Sequence, residues 1–61
     1  MATLTRRKDG REIEYQFKSE EDLYQFIESK KKEYLLRSQV GNEIFTFIDP
    51  NTDEEITFIK K

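Results

Sequence analysis

The side chains that could act as acids, bases or nucleophiles in this chain are carboxylates, lysines, three tyrosines and three serines. Histidine and cysteine are absent, which removes the commonest general base, the commonest metal ligand and any disulfide. Ser19 is best explained as a helix cap and Ser29 as a solvated helix residue. Ser38 has no imidazole to activate it as a nucleophile. We therefore expect that the protein is not an enzyme.

The acidic run "DPNTDEE" resembles a cation-binding loop in composition only. A calcium loop needs a glycine at its tight turn and a glutamate at its twelfth position, and this run has neither. Pro50 and Asn51 instead favour a hairpin loop. A glycine-rich phosphate loop is also excluded, because Gly10 and Gly41 stand far apart. We expect no metal, cofactor or small-molecule substrate.

Basic residues cluster in "RRKDGR", which contains Arg6, Arg7, Lys8 and Arg11. Such a cluster could bind a phosphate backbone or an acidic protein surface. Alternatively, it could keep the protein soluble and block pairing between edge strands. The whole chain has a net charge of −2, from 11 basic and 13 acidic residues. Its overall field therefore favours neither nucleic acid nor an anionic membrane.

The length of 61 residues predicts one domain, residues 1–61. Apolar residues make up 34% of the chain and charged residues 39%. Five phenylalanines and three tyrosines nevertheless supply large buried areas, so we expect a folded protein. No apolar run reaches the roughly 18 to 20 residues of a membrane helix, and the first residues do not resemble a signal peptide. We expect a soluble, cytoplasmic protein.

The dipeptide Asp9-Gly10 predicts the first of three hairpins, because both residues tolerate the positive φ angles of a type I′ turn. A two-residue loop pairs Lys8 with Arg11 and thereby fixes the register. One face of the hairpin is then largely apolar and the other polar. The largely apolar face pairs Arg6 with Ile13, Leu4 with Tyr15 and Ala2 with Phe17; the polar face pairs Arg7 with Glu12 and Thr5 with Glu14.

The segment "SEEDLYQFIESKKKEY" predicts a helix of about four turns. Ser19 can cap its first turn, and Asp22 imitates the carboxylate of a capping box. Acidic residues precede the lysines at 30–32, as the helix dipole favours. The apolar stripe comprises Leu23, Phe26, Ile27 and Tyr34, with Tyr24 at its edge. The two tyrosines could cover the ends of the core or anchor a partner.

Two further hairpins follow from the alternation of apolar residues. Gly41-Asn42 predicts a two-residue loop of type I′ or II′. This loop pairs Leu35 with Ile48, Leu36 with Phe47, Arg37 with Thr46 and Ser38 with Phe45. A four-residue loop at 50–53 closes the last hairpin and pairs Phe47 with Ile56, Phe45 with Phe58 and Ile44 with Ile59. A shift of one residue would scatter the apolar set over both faces.

These elements predict an α+β domain of order β-β-α-β-β-β, with one helix across one face of a five-stranded antiparallel sheet. Strand order 2-1-5-4-3 keeps every pair of neighbours antiparallel. The predicted core comprises Leu4, Ile13, Tyr15, Phe17, Leu23, Phe26, Ile27, Leu36, Phe45, Phe47, Ile56 and Phe58. No motif ties this arrangement to one family, and a fold alone does not define a function.

The second face of the predicted sheet carries an apolar patch of Leu35, Ile44, Ile48 and Ile59. Polar residues border it, namely Arg37, Gln39, Thr46 and Thr57. An apolar patch with a polar rim is typical of a contact site, although isoleucine also raises strand propensity. The sequence therefore predicts a small protein-binding module of accessory or inhibitor type. A homo-oligomeric structural component and nucleic-acid binding through the basic cluster remain as alternatives.

Overall fold

Five strands and one helix follow the predicted order in a computed structural model, which describes all 61 residues. The strands form one antiparallel sheet in the order β2-β1-β5-β4-β3, which confirms the predicted α+β fold. The elements are β1 (Ala2–Lys8), β2 (Arg11–Phe17), α1 (Glu20–Glu33), β3 (Leu35–Val40), β4 (Ile44–Ile48) and β5 (Glu55–Lys60).

The first and last hairpins have the predicted registers. Lys8 pairs with Arg11 across a turn in which Asp9 has φ 53° and Gly10 has φ 77°. In the last hairpin, the backbone N–H of Asp49 donates to the carbonyl of Glu54 at 2.9 Å. The pairs of Phe47 with Ile56, Phe45 with Phe58 and Ile44 with Ile59 are confirmed. Local turn residues and two-fold alternation are sufficient to fix these two hairpins.

The hairpin of β3 and β4 differs from the prediction. Its loop has three residues, because Val40 pairs with Ile44, and a bulge at Arg37 interrupts β3. The predicted pairs of Arg37 with Thr46 and Ser38 with Phe45 are wrong: Ser38 lies opposite Thr46, and Gln39 opposite Phe45. The extra loop residue would shift all of β3 by one position. The bulge absorbs that shift and keeps Leu36 opposite Phe47.

The helix begins where its cap predicts. Ser19 has extended backbone angles, and its Oγ accepts a hydrogen bond from the N–H of Asp22 at 3.2 Å. The helix ends at Glu33, and Tyr34 already has an extended backbone. Phe26 packs against three aromatic rings, with centroid distances of 5.3 to 5.9 Å to Tyr15, Phe17 and Phe58. The buried apolar core comprises Ala2, Leu4, Leu23, Ile27, Phe45, Phe47, Ile56 and Phe58.

Two residues of the predicted core are exposed instead. Ile13 has 44% and Leu36 has 40% of its surface accessible. Ile13 lies near the tip of the first hairpin, in a depression to which no helix residue contributes. Leu36 lies in the edge strand β3, which has a neighbouring strand on one side only. A helix of 14 residues is about 21 Å long, so it covers the middle of the sheet and leaves these positions at its margins.

Candidate functional site

The sheet face opposite the helix, called the open face below, presents its side chains in rows across the strands. A row of hydroxyl groups runs between two aliphatic rows, because directly paired residues of neighbouring strands share a face. The first aliphatic row is Ile59, Ile44 and Val40, the hydroxyl row is Thr57, Thr46 and Ser38, and the second aliphatic row is Leu35 and Ile48. The aliphatic residues thus flank the hydroxyl row on both sides.

The structure brings the predicted patch residues together on the open face. Ile44, Thr46 and Ile48 lie on β4, Ile59 pairs with Ile44, and Leu35 pairs with Ile48. The three isoleucines are half-buried, whereas Leu35 has 62% of its surface accessible. Arg37 lies at the border, where its guanidinium donates to the carboxylate of Glu55 at 2.7 Å. These residues form one continuous surface.

Val40 also belongs to this surface, although sequence reasoning did not identify it. Its side chain is opposite Ile44, and 62% of its surface is accessible. The bulge at Arg37 reverses the facing of the following residues. Gln39, predicted at the patch border, therefore lies on the helix side, where it lines a shallow cavity with Tyr24 and Phe45. The three-residue loop that begins at Gly41, with φ 56°, was the feature that could have revealed this reversal.

Three ion pairs surround the rows of the open face. Arg37 pairs with Glu55 at 2.7 Å, and Arg7 pairs with Glu12 at 2.6 Å. A third, longer pair joins Lys61 to Glu14 at 3.8 Å. Each of these acids has a basic partner within the same molecule. The border of the open face therefore carries no net charge from these six residues.

Three of the four basic residues of the first hairpin share one surface, and the fourth, Arg7, lies on the opposite face. Arg6 and Lys8 lie on the helix side of β1, and Arg7 lies on the open face, since successive strand residues alternate. Arg7 is paired with Glu12, and Lys8 lies 3.5 Å from the carboxylate of Glu54. The helix-side depression at this tip has a volume of about 830 Å³. It is lined by Arg6, Lys8, Asp9, Arg11, Glu12 and Ile13. Asp9 offsets part of its positive charge, whereas the carboxylate of Glu12 is paired with Arg7.

Lys60 joins the central strand β5 to the start of the helix. Its ammonium donates to the Tyr24 hydroxyl at 3.0 Å and lies 2.9 Å from the carboxylate of Glu20. The hydrogen bond to Tyr24, and then the one to Glu20, raise the pKa of Lys60 above its ordinary value. Tyr34 packs at the other end of the helix against Phe47, with ring centroids 6.4 Å apart. Both helix tyrosines therefore contact the core.

No protein-family model, curated protein or solved structure matches this chain. Three or more acidic side chains do not converge anywhere in the structure as they would to hold a metal ion. The single helix is too short and too polar to cross a membrane. The open face is the surface on which exposed apolar residues and their polar border are most clearly organised.

Proposed function

We propose that the protein is a small, non-enzymatic, cytoplasmic binding module of accessory or inhibitor type, which docks onto another protein surface through the open face. The observation that carries this proposal is the exposure of Leu35 and Val40 beside the half-buried Ile44, Ile48 and Ile59. Burial of apolar surface is the main favourable term in protein association. Polar residues at the border of such a patch are typical of protein interfaces.

The exposed leucine supports docking over a purely local role. Isoleucine and valine raise strand propensity, which accounts for their presence in any strand. Leucine is not β-branched, and Leu35 leaves 62% of its surface in water at the sheet edge. Strand propensity and core burial therefore do not explain this residue, whereas contact with a partner does.

The chemistry of the open face also defines its partner. The aliphatic rows require a complementary apolar surface, and the hydroxyl row requires hydrogen-bonding groups. Since each acid at the border already has a basic partner, strong charge on the partner would gain little there. We expect the partner to present an apolar surface with few charges, and the action of the module to follow from occupancy of that surface.

A pair of charge-matched variants tests this proposal. Val40→Glu introduces one negative charge on the open face, and Ser29→Glu introduces one on the exposed surface of the helix. Tagged wild-type protein and both variants are used to capture partners from native cells, after circular dichroism has confirmed that each is folded. We expect the wild type and Ser29→Glu to retain one partner that Val40→Glu loses at least about tenfold. Equal capture by Val40→Glu would contradict docking through this face.

A further inference from the structure

We propose that the partner of the open face is a second copy of this chain, packed back to back around a two-fold axis. This inference rests on the proposed function, because it names the occupant of the same surface. In such a dimer two antiparallel sheets pack face to face with their strands aligned to within about 30°. The two helices then lie on the outside of a four-layer assembly.

The rows of the open face are self-complementary. Hydroxyl groups both donate and accept hydrogen bonds, so the row of Thr57, Thr46 and Ser38 can pair with the same row of a second copy. A two-fold axis along this row places the first aliphatic row of one copy against the second aliphatic row of the other copy. On β3 and β4 like chemistry thus meets like chemistry, with Ile44 against Ile48 and Val40 against Leu35 of the second copy, as an isologous interface requires. Beyond these two strands the rows end in charged residues, because Ile48 pairs with Glu55 and Thr57 pairs with Arg7.

The charges of the open face also fit a second copy. The chain as a whole has a net charge of −2, and two identical copies repel each other at long range. At the open face, however, Arg7, Arg37 and Lys61 each hold a carboxylate of their own molecule. The axis places Arg7 near Arg7 of the second copy, because Arg7 pairs with Thr57, and each Arg7 is neutralised by Glu12 of its own molecule. A foreign surface with strong charge of either sign would find no complementary field there.

The size of the open face predicts a weak dimer. Five strands spaced about 4.8 Å apart, with about six residues of 3.3 Å each, give a sheet area of roughly 500 Å² per copy. Two copies therefore bury roughly 1,000 Å², which is at the lower limit for a specific interface. We expect self-association that depends on protein concentration.

Back-to-back packing agrees better with the structure than pairing of edge strands. Strand β3 is an edge, but its bulge at Arg37 interrupts the regular row of backbone groups that another strand would need. The other edge, β2, is exposed along most of its length and begins with Arg11 and Glu12. Charged side chains on an edge oppose edge-to-edge association.

Sedimentation equilibrium from low micromolar to about 1 mM protein tests the dimer. We expect the apparent mass of the wild type and of Ser29→Glu to approach twice the monomer mass. Val40→Glu, and independently Leu35→Gln, should raise the dissociation constant at least about tenfold. Both positions are exposed, so their substitution should leave the monomer folded. A wild type that stays monomeric, or variants that associate equally well, would overturn the proposal.

Concentration-dependent amide shifts distinguish the two modes of association. Back-to-back packing predicts shifts centred on Thr46 and Thr57, which lie in the middle of the open face, whereas shifts confined to the outer edge of β3 would overturn it. The wild type could stay monomeric and still capture a foreign protein in a way that depends on Val40. That result would exclude a second copy as the partner and would leave the proposed function intact. Loss of both dimerisation and Val40-dependent capture would remove both proposals.

Discussion

At the scale of the residue, Lys60 shows how one side chain can join two elements. Its ammonium contacts the hydroxyl and the ring of Tyr24 and the carboxylate of Glu20, all from the helix. Its own backbone belongs to the central strand. The contact therefore ties the first turns of the helix to the sheet, and it commits Tyr24 to the fold.

Lys60 should make stability depend on pH in the alkaline range. Its folded-state pKa is raised above the ordinary value of 10.5, so the folded protein holds this proton more tightly than the unfolded chain. The stabilisation is fully present below the ordinary pKa of 10.5 and is lost as pH rises through the higher pKa of the folded state. We expect the urea midpoint of the wild type to fall more steeply above pH 10.5 than that of Lys60→Met. Parallel curves for the two proteins would contradict this coupling.

Phe58 and Ile59 are neighbours in β5 that face opposite sides of the sheet. Phe58 is buried beneath the helix, so Phe58→Ala should cost about 3 to 5 kcal/mol, which is most of the stability of a small domain. Ile59 is half-buried on the open face. We expect Ile59→Thr and Ile44→Thr to cost about 1 kcal/mol or less each. Urea unfolding at low micromolar concentration, where the monomer prevails, measures these differences. A loss of several kcal/mol at Ile59 would mean that the open face is buried within the monomer.

At the scale of the element, the bulge in β3 decides which residues reach the open face. The loop at 41–43 is one residue longer than the alternation of apolar residues requires, and Arg37 compensates by standing outside the ladder. Its side chain then pairs with Glu55 on the exposed surface, a contact worth about 1 kcal/mol or less. The bulge therefore preserves the cross-strand pairing of Leu36 with Phe47 and moves Val40 to the open face.

Deletion of Arg37 should be tolerated, because the residues on either side already keep the pairing of an uninterrupted ladder. Leu36 would remain opposite Phe47, and Ser38 opposite Thr46. We expect the deletion variant to fold with a change in unfolding free energy of about 1 kcal/mol, and to retain the cross-strand contact of Val40 with Ile44 in nuclear Overhauser spectra. Deletion of Thr46 is the matched control. It reverses the facing of the rest of β4 and should abolish folding; equal damage from both deletions would refute this account of the bulge.

At the scale of the whole molecule, charge is distributed without a dominant field. Acidic residues slightly outnumber basic ones, and the basic cluster of the first hairpin is divided between two faces. Two of its four members lie beside carboxylates, Arg7 at 2.6 Å and Lys8 at 3.5 Å. This arrangement supports docking through apolar surface over attraction to a polyanion.

Nucleic acid should accordingly bind weakly. We expect a labelled single-stranded oligonucleotide to show no more affinity for the wild type than for an Arg6→Gln/Arg11→Gln double variant at about 50 mM salt. Fluorescence anisotropy measures both. Binding by the wild type that falls steeply with salt and is lost in the double variant would favour the nucleic-acid alternative.

The sequence by itself determined the helix and the first and last hairpins, and the strand order that it favoured is confirmed. Turn residues such as Asp9-Gly10, the Ser19 cap and two-fold alternation are local signals. Antiparallel pairing is compatible with the observed order, in which β1 pairs with β5, but it would equally allow β1 to pair with β3. The sequence also located Ile44, Ile48 and Ile59 on a second face.

The tertiary structure decided the rest, since long-range packing overrides local pattern there. A bulge offsets the longer loop and keeps Leu36 paired with Phe47, which placed Val40 on the open face and Gln39 on the helix side. The length of the helix set the exposure of Ile13. Lys60 contacts Tyr24, which is 36 positions away in the chain, and Glu20, which is 40 positions away. Neither turn chemistry nor alternation carries information over such a separation.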